Sequence, residues 1–153
     1  MMQIRPYTSD DLSSVYKLFV DTIHIINLKD YNTSQIKAWS NININELNKK
    51  MLSTNSKVIT ENNNILGFAN IDDTGYIDMF YIHADYQGVG LGSLLLNSLE
   101  NDVDVKLFSV HASITARPFF EQRGYQVKHQ NRVHVRGRKF INYTMTKLAK
   151  HKT

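Results

Sequence analysis

A strand-like run passes into a glycine-rich turn and then into a leucine-rich segment over residues 76–92, Tyr76-Ile77-Asp78-Met79-Phe80-Tyr81-Ile82-His83-Ala84-Asp85-Tyr86-Gln87-Gly88-Val89-Gly90-Leu91-Gly92. Glycine has no Cβ, so the backbone at such a turn can approach a bound group closely. The free N–H groups of a first helical turn, together with the helix dipole, stabilise negative charge. The pattern therefore predicts a strand, a turn and a helix that binds a pyrophosphate, although a simple tight connection could use the same glycines.

Two more strands precede this segment. Apolar residues recur in Val58-Ile59 and over residues 65–71, and polar turns at residues 62–64 and 72–75 separate the runs. Strands joined by such short polar turns pair as antiparallel neighbours. We therefore expect a three-stranded meander that ends at residue 82.

The N-terminal part alternates from strand to helix. Residues 2–7 read as a short strand, and the hydroxyl and carboxylate groups of residues 8–11 can cap an amphipathic helix. Thr33-Ser34 gives a second capping signal, and Asn43 followed by Glu46 opens a further helical stretch. Helices therefore follow the first strand.

The C-terminal part contains the remaining strands. We expect a strand over residues 105–110, a helix over 114–122 that Gly124 ends, and two β-rich runs over 125–148 with a turn near Gly137. The predicted order is β-α-α-β-β-β-α-β-α-β-β, an α/β (α+β) fold with a mixed, largely antiparallel sheet flanked by helices. One domain over residues 1–148 and a basic tail over 149–153 fit a chain of 153 residues.

Composition limits the chemistry. The chain has no cysteine, which excludes a disulfide, a thiolate zinc site and a cysteine nucleophile. The histidines lack the spacing of metal ligands, so no metal is expected. No segment reads as a signal peptide or a membrane span, which favours the cytoplasm and no membrane partner. The formal charge of +4 suits either coenzyme A or RNA and cannot choose between them.

The glycine-rich turn does not match the common nucleotide motifs. It lacks Gly-Lys-Ser/Thr, and Gly88, Gly90 and Gly92 do not have the spacing of the dinucleotide fingerprint. Gln87, Gly90 and Gly92 instead resemble the Gln/Arg-x-x-Gly-x-Gly/Ala motif of the GNAT superfamily of acetyltransferases. The resemblance implies a GNAT-like fold that binds acetyl-coenzyme A (acetyl-CoA) and acetylates an amine.

Other segments extend the resemblance. The preceding strand is similar to the family strand that holds pantetheine, with Asp78 at its acid, and residues 116–125 resemble the block Ala-x-x-x-Tyr-Glu-x-x-Gly-Phe. Residues 112–121, Asp30-Tyr31, Gln35 and Ala38-Trp39 look like a subgroup of small bacterial acetyltransferases of unsettled substrate. The resemblance implies these coenzyme-binding residues: Phe80, Tyr81, Ile82, Gln87, Gly88, Val89, Gly90, Leu91, Gly92, Ser93, Ser113 and Phe120.

Two positions depart from the family pattern. Ser113 stands where many members have an asparagine that contacts the coenzyme, and a hydroxyl can still donate a hydrogen bond. Phe120 stands where many have a tyrosine that protonates the departing thiolate, and phenylalanine has no such proton. His111, Ser113, Tyr125 and Tyr143 are the substitute donors, or the thiolate leaves without an acid.

The catalytic and acceptor-binding roles have competing interpretations. Asp78 could accept the proton of the amine or could orient a cationic substrate. Tyr31 and Trp39, like Tyr16, fall in the helical region that forms one wall of the acceptor site in such folds, but their helical spacing also fits core aromatics. Which amine is the acceptor, whether longer acyl groups react and whether the chain forms a homodimer are left open.

Two other functions are compatible with the sequence. A coenzyme A-binding module without catalysis would explain Phe120. An RNA-binding protein would use a basic stripe of Arg132, His134, Arg136 and Arg138 along one strand face, but no glycine-aromatic RNA-binding signature accompanies it. We therefore rank the enzyme first and nucleic acid last.

Overall fold

A seven-stranded sheet with the order β1-β2-β3-β4-β5-β7-β6 forms the centre of the fold. The computed structural model describes residues 2–150. Its strands are β1 Met2–Pro6, β2 Asn55–Glu61, β3 Asn64–Ile71, β4 Tyr76–Ile82, β5 Leu107–Ser113, β6 Gln126–Val135 and β7 Arg138–Leu148. Its α-helices are α1 Leu12–Ile26, α2 Thr33–Ser40, α3 Ile44–Leu52, α4 Leu91–Asp102 and α5 Arg117–Gln122.

The predicted fold class is confirmed. Every neighbouring pair of strands is antiparallel except β4 and β5, which are parallel. The predicted order counted two helices between β1 and β2, but residues 33–52 form two separate helices. The separation follows from Asn43, whose side chain accepts hydrogen bonds from the N–H groups of Asn45 and Glu46 and so begins a new helix.

The capping residue of α2 differs from the prediction. Asn32, and not Thr33, accepts the hydrogen bond from the Gln35 N–H at 2.8 Å, and the Gln35 side chain accepts in return from the Asn32 N–H at 2.9 Å. This reciprocal pair is a capping box. The error was one residue, because a hydroxyl and an amide oxygen are equally able to cap.

The sheet separates two hydrophobic clusters. Alternation along β2 directs Val58 to the cluster that contains α1 and α3, and directs Ile59 to the cluster that contains α4 and α5. Both side chains are fully buried. The helices that carry the predicted acceptor wall and the helix that carries the predicted phosphate site therefore lie on opposite faces of the sheet.

The β6–β7 hairpin corrects the predicted basic stripe. β6 ends at Val135, and Arg136 and Gly137 form a two-residue turn with φ values of +46° and +80°. Both φ values are positive, as the tight hairpin turn requires. Arg136 and Arg138 therefore do not continue the strand face of Arg132, and the prediction of one stripe of four residues was wrong.

Two further expectations concern the C-terminal tail and membrane spans. The Ala149 N–H donates to the Lys106 carbonyl at 2.9 Å, so the ordered packing continues one residue past the predicted domain boundary. Residues 151–153 of the predicted tail lie outside the described residues. None of the helices within residues 2–150 is long and apolar enough to cross a membrane.

A β-bulge in β4 sets the geometry of the sheet centre. Ala69 pairs with Phe80 and Ile71 pairs with Ile77, so β4 has one more residue than β3 between these pairs. Asn70, which is fully buried, accepts a hydrogen bond from the bulged N–H of Met79 at 2.6 Å. Its amide also donates to the Thr54 hydroxyl at 3.0 Å. Asn70 therefore satisfies a backbone group that the bulge has removed from the ladder.

We expect Asn70→Ala to lower the free energy of unfolding by about 1–3 kcal/mol, because the buried Met79 N–H would lose its acceptor. Denaturant unfolding followed by circular dichroism measures this. Asn64→Ala, the same change at an exposed position of the same strand, is the matched control, with an expected cost within about 0.5 kcal/mol. An equal cost for both variants would show that Asn70 does not support the bulge.

Candidate active site

A cavity of about 520 Å³ opens where β4 and β5 separate. Only Tyr76 and Ile77 of β4 pair with β5, through Ser109 and Val110. Beyond these pairs, the edge of β4 that follows Asp78 has no partner on β5. The predicted site residues that line this cavity are Trp39, Asp78, Phe80, Tyr81, Ile82, Gln87, Gly88, Gly90, Gly92, His111, Ser113 and Phe120.

The glycine-rich turn has the form of an anion cradle. Gly88 and Gly90 have φ values of +75° and +88°, and a Cβ built on either would meet no atom within 4 Å. Gly90 is the N-cap of α4, so the N–H groups of the first turn of α4 begin here. The Gln87 amide donates to the Ile82 carbonyl at 2.6 Å and thereby fixes the turn to the end of β4. A phosphate fits this backbone because nothing obstructs it.

Arg123, which sequence reasoning missed, stands beside the turn. Its guanidinium donates to the Ser93 hydroxyl at 2.8 Å and to the Phe119 carbonyl at 2.9 Å, and lies 3.8 Å from the centroid of the Phe119 ring. Burial lowers the pKa of Arg123. Gly92 allows this packing, because a Cβ there would lie 2.6 Å from the Phe119 ring. Arg123 lines the cavity and places a cation close to the start of α4.

A second cavity, of about 350 Å³, lies beside the first. Its walls come from α1, α2, α3, β4, β5 and the C-terminal hairpin, and they carry both apolar and polar side chains. Five residues line both cavities: Trp39, Tyr81, Asp78, His111 and Ser113. The two spaces therefore meet at the gap between β4 and β5, with Asp78 on one strand and His111 on the other.

Asp78 carries an ion pair at this junction. Its carboxylate lies 3.0 Å from the Lys50 ammonium of α3, and the two side chains are 32% and 39% exposed. Both groups remain accessible from the second cavity, which they line. Lys50 had no distinguishing signal in the sequence, since only the tertiary packing of α3 brings it to β4.

His111 contacts Tyr76, a second residue that sequence reasoning did not select. The Tyr76 hydroxyl lies 3.3 Å from His111 Nδ1, and the two rings meet edge to face. Burial, and then the negative charges of Asp78 and Asp72, raise the pKa of Tyr76 to about 12. Tyr76 is therefore a neutral phenol at neutral pH and can donate a hydrogen bond to the imidazole.

Ser113 and Phe120 both line the first cavity. Phe120 is 2% exposed and packs edge to face on Phe80, Phe119 and Tyr125. The Ser113 hydroxyl accepts a hydrogen bond from the Ala116 N–H at 3.0 Å, which helps to begin α5. Position 120 therefore offers the first cavity an aromatic surface without a proton.

Two of the predicted proton donors lie elsewhere. Tyr125 lines neither cavity, and its hydroxyl donates to the Glu100 carboxylate at 2.7 Å, beside Lys147. Burial and this contact raise the pKa of Tyr125. Tyr143 also lines neither cavity and lies under the Arg117 guanidinium at 4.5 Å. The proposal of these two tyrosines as donors is therefore not supported by their positions.

Tyr31 and Trp39 combine the two roles that the sequence left open. Both line the second cavity, and their rings meet edge to face at 5.3 Å. The Tyr31 hydroxyl donates to the Ile141 carbonyl and accepts from the Ile114 N–H, both at 2.8 Å. Trp39 hydrogen-bonds the Tyr81 side chain. Their polar atoms are thus used inside the protein, and their rings form a wall.

The remaining predicted coenzyme residues do not line the first cavity with their side chains. Val89 is 65% exposed, Leu91 is buried in the core, and the Ser93 hydroxyl accepts a hydrogen bond from Arg123.

The part of the sequence that is described, residues 2–150, contains no group of three or more histidine, aspartate or glutamate residues arranged to hold a metal ion.

Comparison with known proteins identifies the family. A family model described as an acetyltransferase (GNAT) domain matches residues 27–147. The chain is 32% identical over 150 residues to the uncharacterized N-acetyltransferase YafP of Escherichia coli strain K12, with 98% of each chain covered.

Solved structures agree with this result. A GCN5-related N-acetyltransferase from Rhodopseudomonas palustris is similar with a TM-score of 0.93 and 30% identity over 95% of this chain and 94% of that chain. The PaiA N-acetyltransferase of Thermoplasma acidophilum, in complex with coenzyme A, gives a TM-score of 0.79 at 13% identity over 97% and 99% of the two chains. The chain thus belongs to the GNAT family of acetyltransferases and is an acyltransferase.

Proposed function

We propose that the protein transfers the acetyl group of acetyl-CoA directly to a primary amine of a small molecule or peptide. The observation that carries this proposal is the meeting of two cavities at Asp78 and His111. One cavity begins at an anion cradle, and the other extends to α3 and the C-terminal hairpin. Two substrates can therefore reach the same point from different cavities, as a direct transfer requires.

The first cavity is assigned to the coenzyme. The open backbone at Gly88 and Gly90 suits its pyrophosphate. The unpaired edge of β4 offers backbone groups to the pantetheine amides, as a sheet edge does to an added strand. The complex of PaiA with coenzyme A supports this assignment.

The reaction forms one C–N bond and breaks one C–S bond. The lone pair of the neutral amine attacks the thioester carbonyl, and the electron pair of the C–S bond leaves with sulfur. The amine proton passes to the Asp78 carboxylate, directly or through water. A backbone N–H of β4 stabilises the charge on the carbonyl oxygen.

The leaving sulfur can obtain its proton in two ways. A thiol has a pKa near ~8.5, so sulfur leaves near neutral pH with little need of an acid. Of the four predicted donors, His111 and Ser113 line the cavities. We assign Nδ1 of His111 as the acceptor from Tyr76, which leaves the ring proton on Nε2 as a donor. The alternative is that the thiolate departs without an acid and takes its proton from solvent.

Two further expectations from the sequence stay predictions: a cytoplasmic location and the absence of a nucleic acid partner. Whether the chain forms a homodimer stays open, as in the sequence analysis. Arg136 and Arg138, which belonged to the predicted basic stripe for nucleic acid, make contacts within the protein. Arg136 donates to the Ala38 carbonyl at 2.8 Å, and Arg138 donates to the Ser34 hydroxyl at 2.5 Å. Both contacts fix the hairpin to α2.

We expect Gly90→Ala to weaken acetyl-CoA binding at least ~10-fold, because the new methyl group enters the space assigned to the pyrophosphate. Titration calorimetry measures the affinity. Gly137→Ala is the matched control, since Gly137 also has a positive φ and open space around it but lines neither cavity. Both variants carry a similar backbone cost of about 1 kcal/mol. Equal affinity in both would mean that the turn is only a connection.

We expect Asp78→Asn to lower kcat/KM by ~10²-fold or more near neutral pH, because the amide cannot accept the amine proton. The loss should shrink as the pH rises, since more of the amine is then already neutral. The ionisable groups around this carboxylate are Lys50, Tyr76, Tyr81 and His111. Asp73→Asn, in the exposed turn before β4, is the control. A loss independent of pH would point to an orienting role instead.

We expect Phe120→Tyr to change kcat by no more than a few-fold, because thiolate departure needs little acid assistance. Phe119→Tyr adds the same hydroxyl to the same aromatic cluster and serves as the control. A gain above ~10-fold that is confined to Phe120→Tyr would show that the natural protein lacks an acid that it needs. That result would favour the coenzyme-binding module.

A further inference from the structure

We propose that the acceptor is an α-amino acid with an aromatic side chain, which binds in the second cavity with its amine at Asp78 and its carboxylate at Lys50. This inference rests on the proposed amine acetylation and names the substrate class for it. The cavity volume of about 350 Å³ is near the lower end of the range of ~300–1,000 Å³ for small-molecule pockets. A free amino acid is of a suitable size.

The charge in the second cavity favours an acceptor that carries a negative group. Its charged lining residues within residues 2–150 are the cations Lys50 and Arg136 and the anion Asp78, with His111 as a titratable neighbour. The balance is therefore one positive charge when His111 is neutral. A polyamine or an aminoglycoside would bring several ammonium groups to this cation-rich space, which is unfavourable.

The ion pair between Lys50 and Asp78 is complementary to an amino acid. The two charged groups lie 3.0 Å apart, and an α-amino acid presents its amine and its carboxylate on either side of one carbon atom. When it binds, the amine can donate to Asp78 while Lys50 donates to the acceptor carboxylate. Both protein side chains are partly exposed, so they can separate to admit the ligand. Lys50 thereby exchanges the Asp78 carboxylate for the carboxylate of the acceptor, and Asp78 becomes free to accept the proton of the amine.

Arg136 has a different role in the second cavity. Its guanidinium donates to the Ala38 and Trp39 carbonyls at 2.8 and 3.4 Å, so the hairpin turn is fixed over the end of α2. The residue is exposed at the rim. Arg136 therefore adds positive potential at the entrance, and Lys50 is the direct partner of the carboxylate.

The walls suit an aromatic side chain. Trp39 packs edge to face against Phe140 at 6.0 Å and against Tyr31 at 5.3 Å. Val133 and Val135 of β6 complete the apolar surface. Aromatic rings gain from such edge-to-face contacts beyond the burial of their area. The polar atoms of Tyr31 and Trp39 are already engaged within the protein, so these two rings offer the acceptor side chain an apolar surface.

The test compares L-phenylalanine with phenethylamine, which has the same ring and amine but no carboxylate. We expect the wild-type kcat/KM to favour phenylalanine by at least ~10-fold, and Lys50→Met to reduce that ratio by about 10- to 100-fold. Any effect of Lys50 on Asp78 is common to both amines and cancels in the ratio. Lys50→Arg should retain the preference, and Lys49→Met, at the exposed neighbouring position, should leave the ratio unchanged.

Each outcome separates this inference from the proposed function. Phenethylamine reacting as well as phenylalanine would overturn the amino acid class and leave the acetyltransferase intact. A ratio that Lys50→Met does not change would overturn the role of Lys50. Turnover of neither amine, nor of any other in an amine panel, by a protein that still binds acetyl-CoA in calorimetry would overturn the proposed function itself.

Discussion

The ladder between β4 and β5 has two residue pairs, and the extra residue of β4 opposite Asn70 marks the point where the strands begin to separate. Parallel neighbours in a sheet usually continue their hydrogen bonding, so this gap needs support from elsewhere. Asn70 provides it by accepting the Met79 N–H inside the core. A bulge bends its strand and redirects the adjacent side chains. The edge available to a coenzyme and the position of Asp78 therefore both depend on one buried amide.

The strand and helix pattern could be predicted because it depends on local periodicity. Apolar alternation, the Asn62-Asn63 turn and the glycines after β4 each have a local physical reason, and both asparagines adopt positive φ values of +51° and +69°. The pattern alone could predict the site residues of the turn and its strand, whereas Trp39, His111, Ser113 and Phe120 were selected through the family resemblance. The family resemblance contributed the functional meaning of those residues, which spacing alone could not supply.

The omitted residues and the two tyrosine predictions have a common cause, because each depends on a contact between distant segments. The cap of α2 and the basic stripe were instead errors about local turns. Tyr125 follows a predicted helix and was predicted as a substitute proton donor, but its hydroxyl donates to Glu100 of α4. Lys50 is one of several lysines in a polar helix, and only packing against β4 distinguishes it. Asn70 gave a usable signal, since an amide among the apolar residues of positions 65–71 must find a partner when it is buried.

The aromatic cluster around Phe120 shows why the loss of one hydroxyl need not end catalysis. Phe80, Phe119 and Phe120 pack on one another and line the first cavity, and Tyr125 packs against Phe120 outside the cavity lining. Removing a hydroxyl from such a cluster leaves its shape intact, and hydrogen-bonding capacity remains on the opposite strand. His111 is held there by Tyr76, which keeps its proton because its pKa is raised to about 12. In the mechanism that we propose, acceptance of a proton at Asp78 and donation of one at His111 face each other across the same gap. That chemistry would depend on β4 and β5 more than on α5.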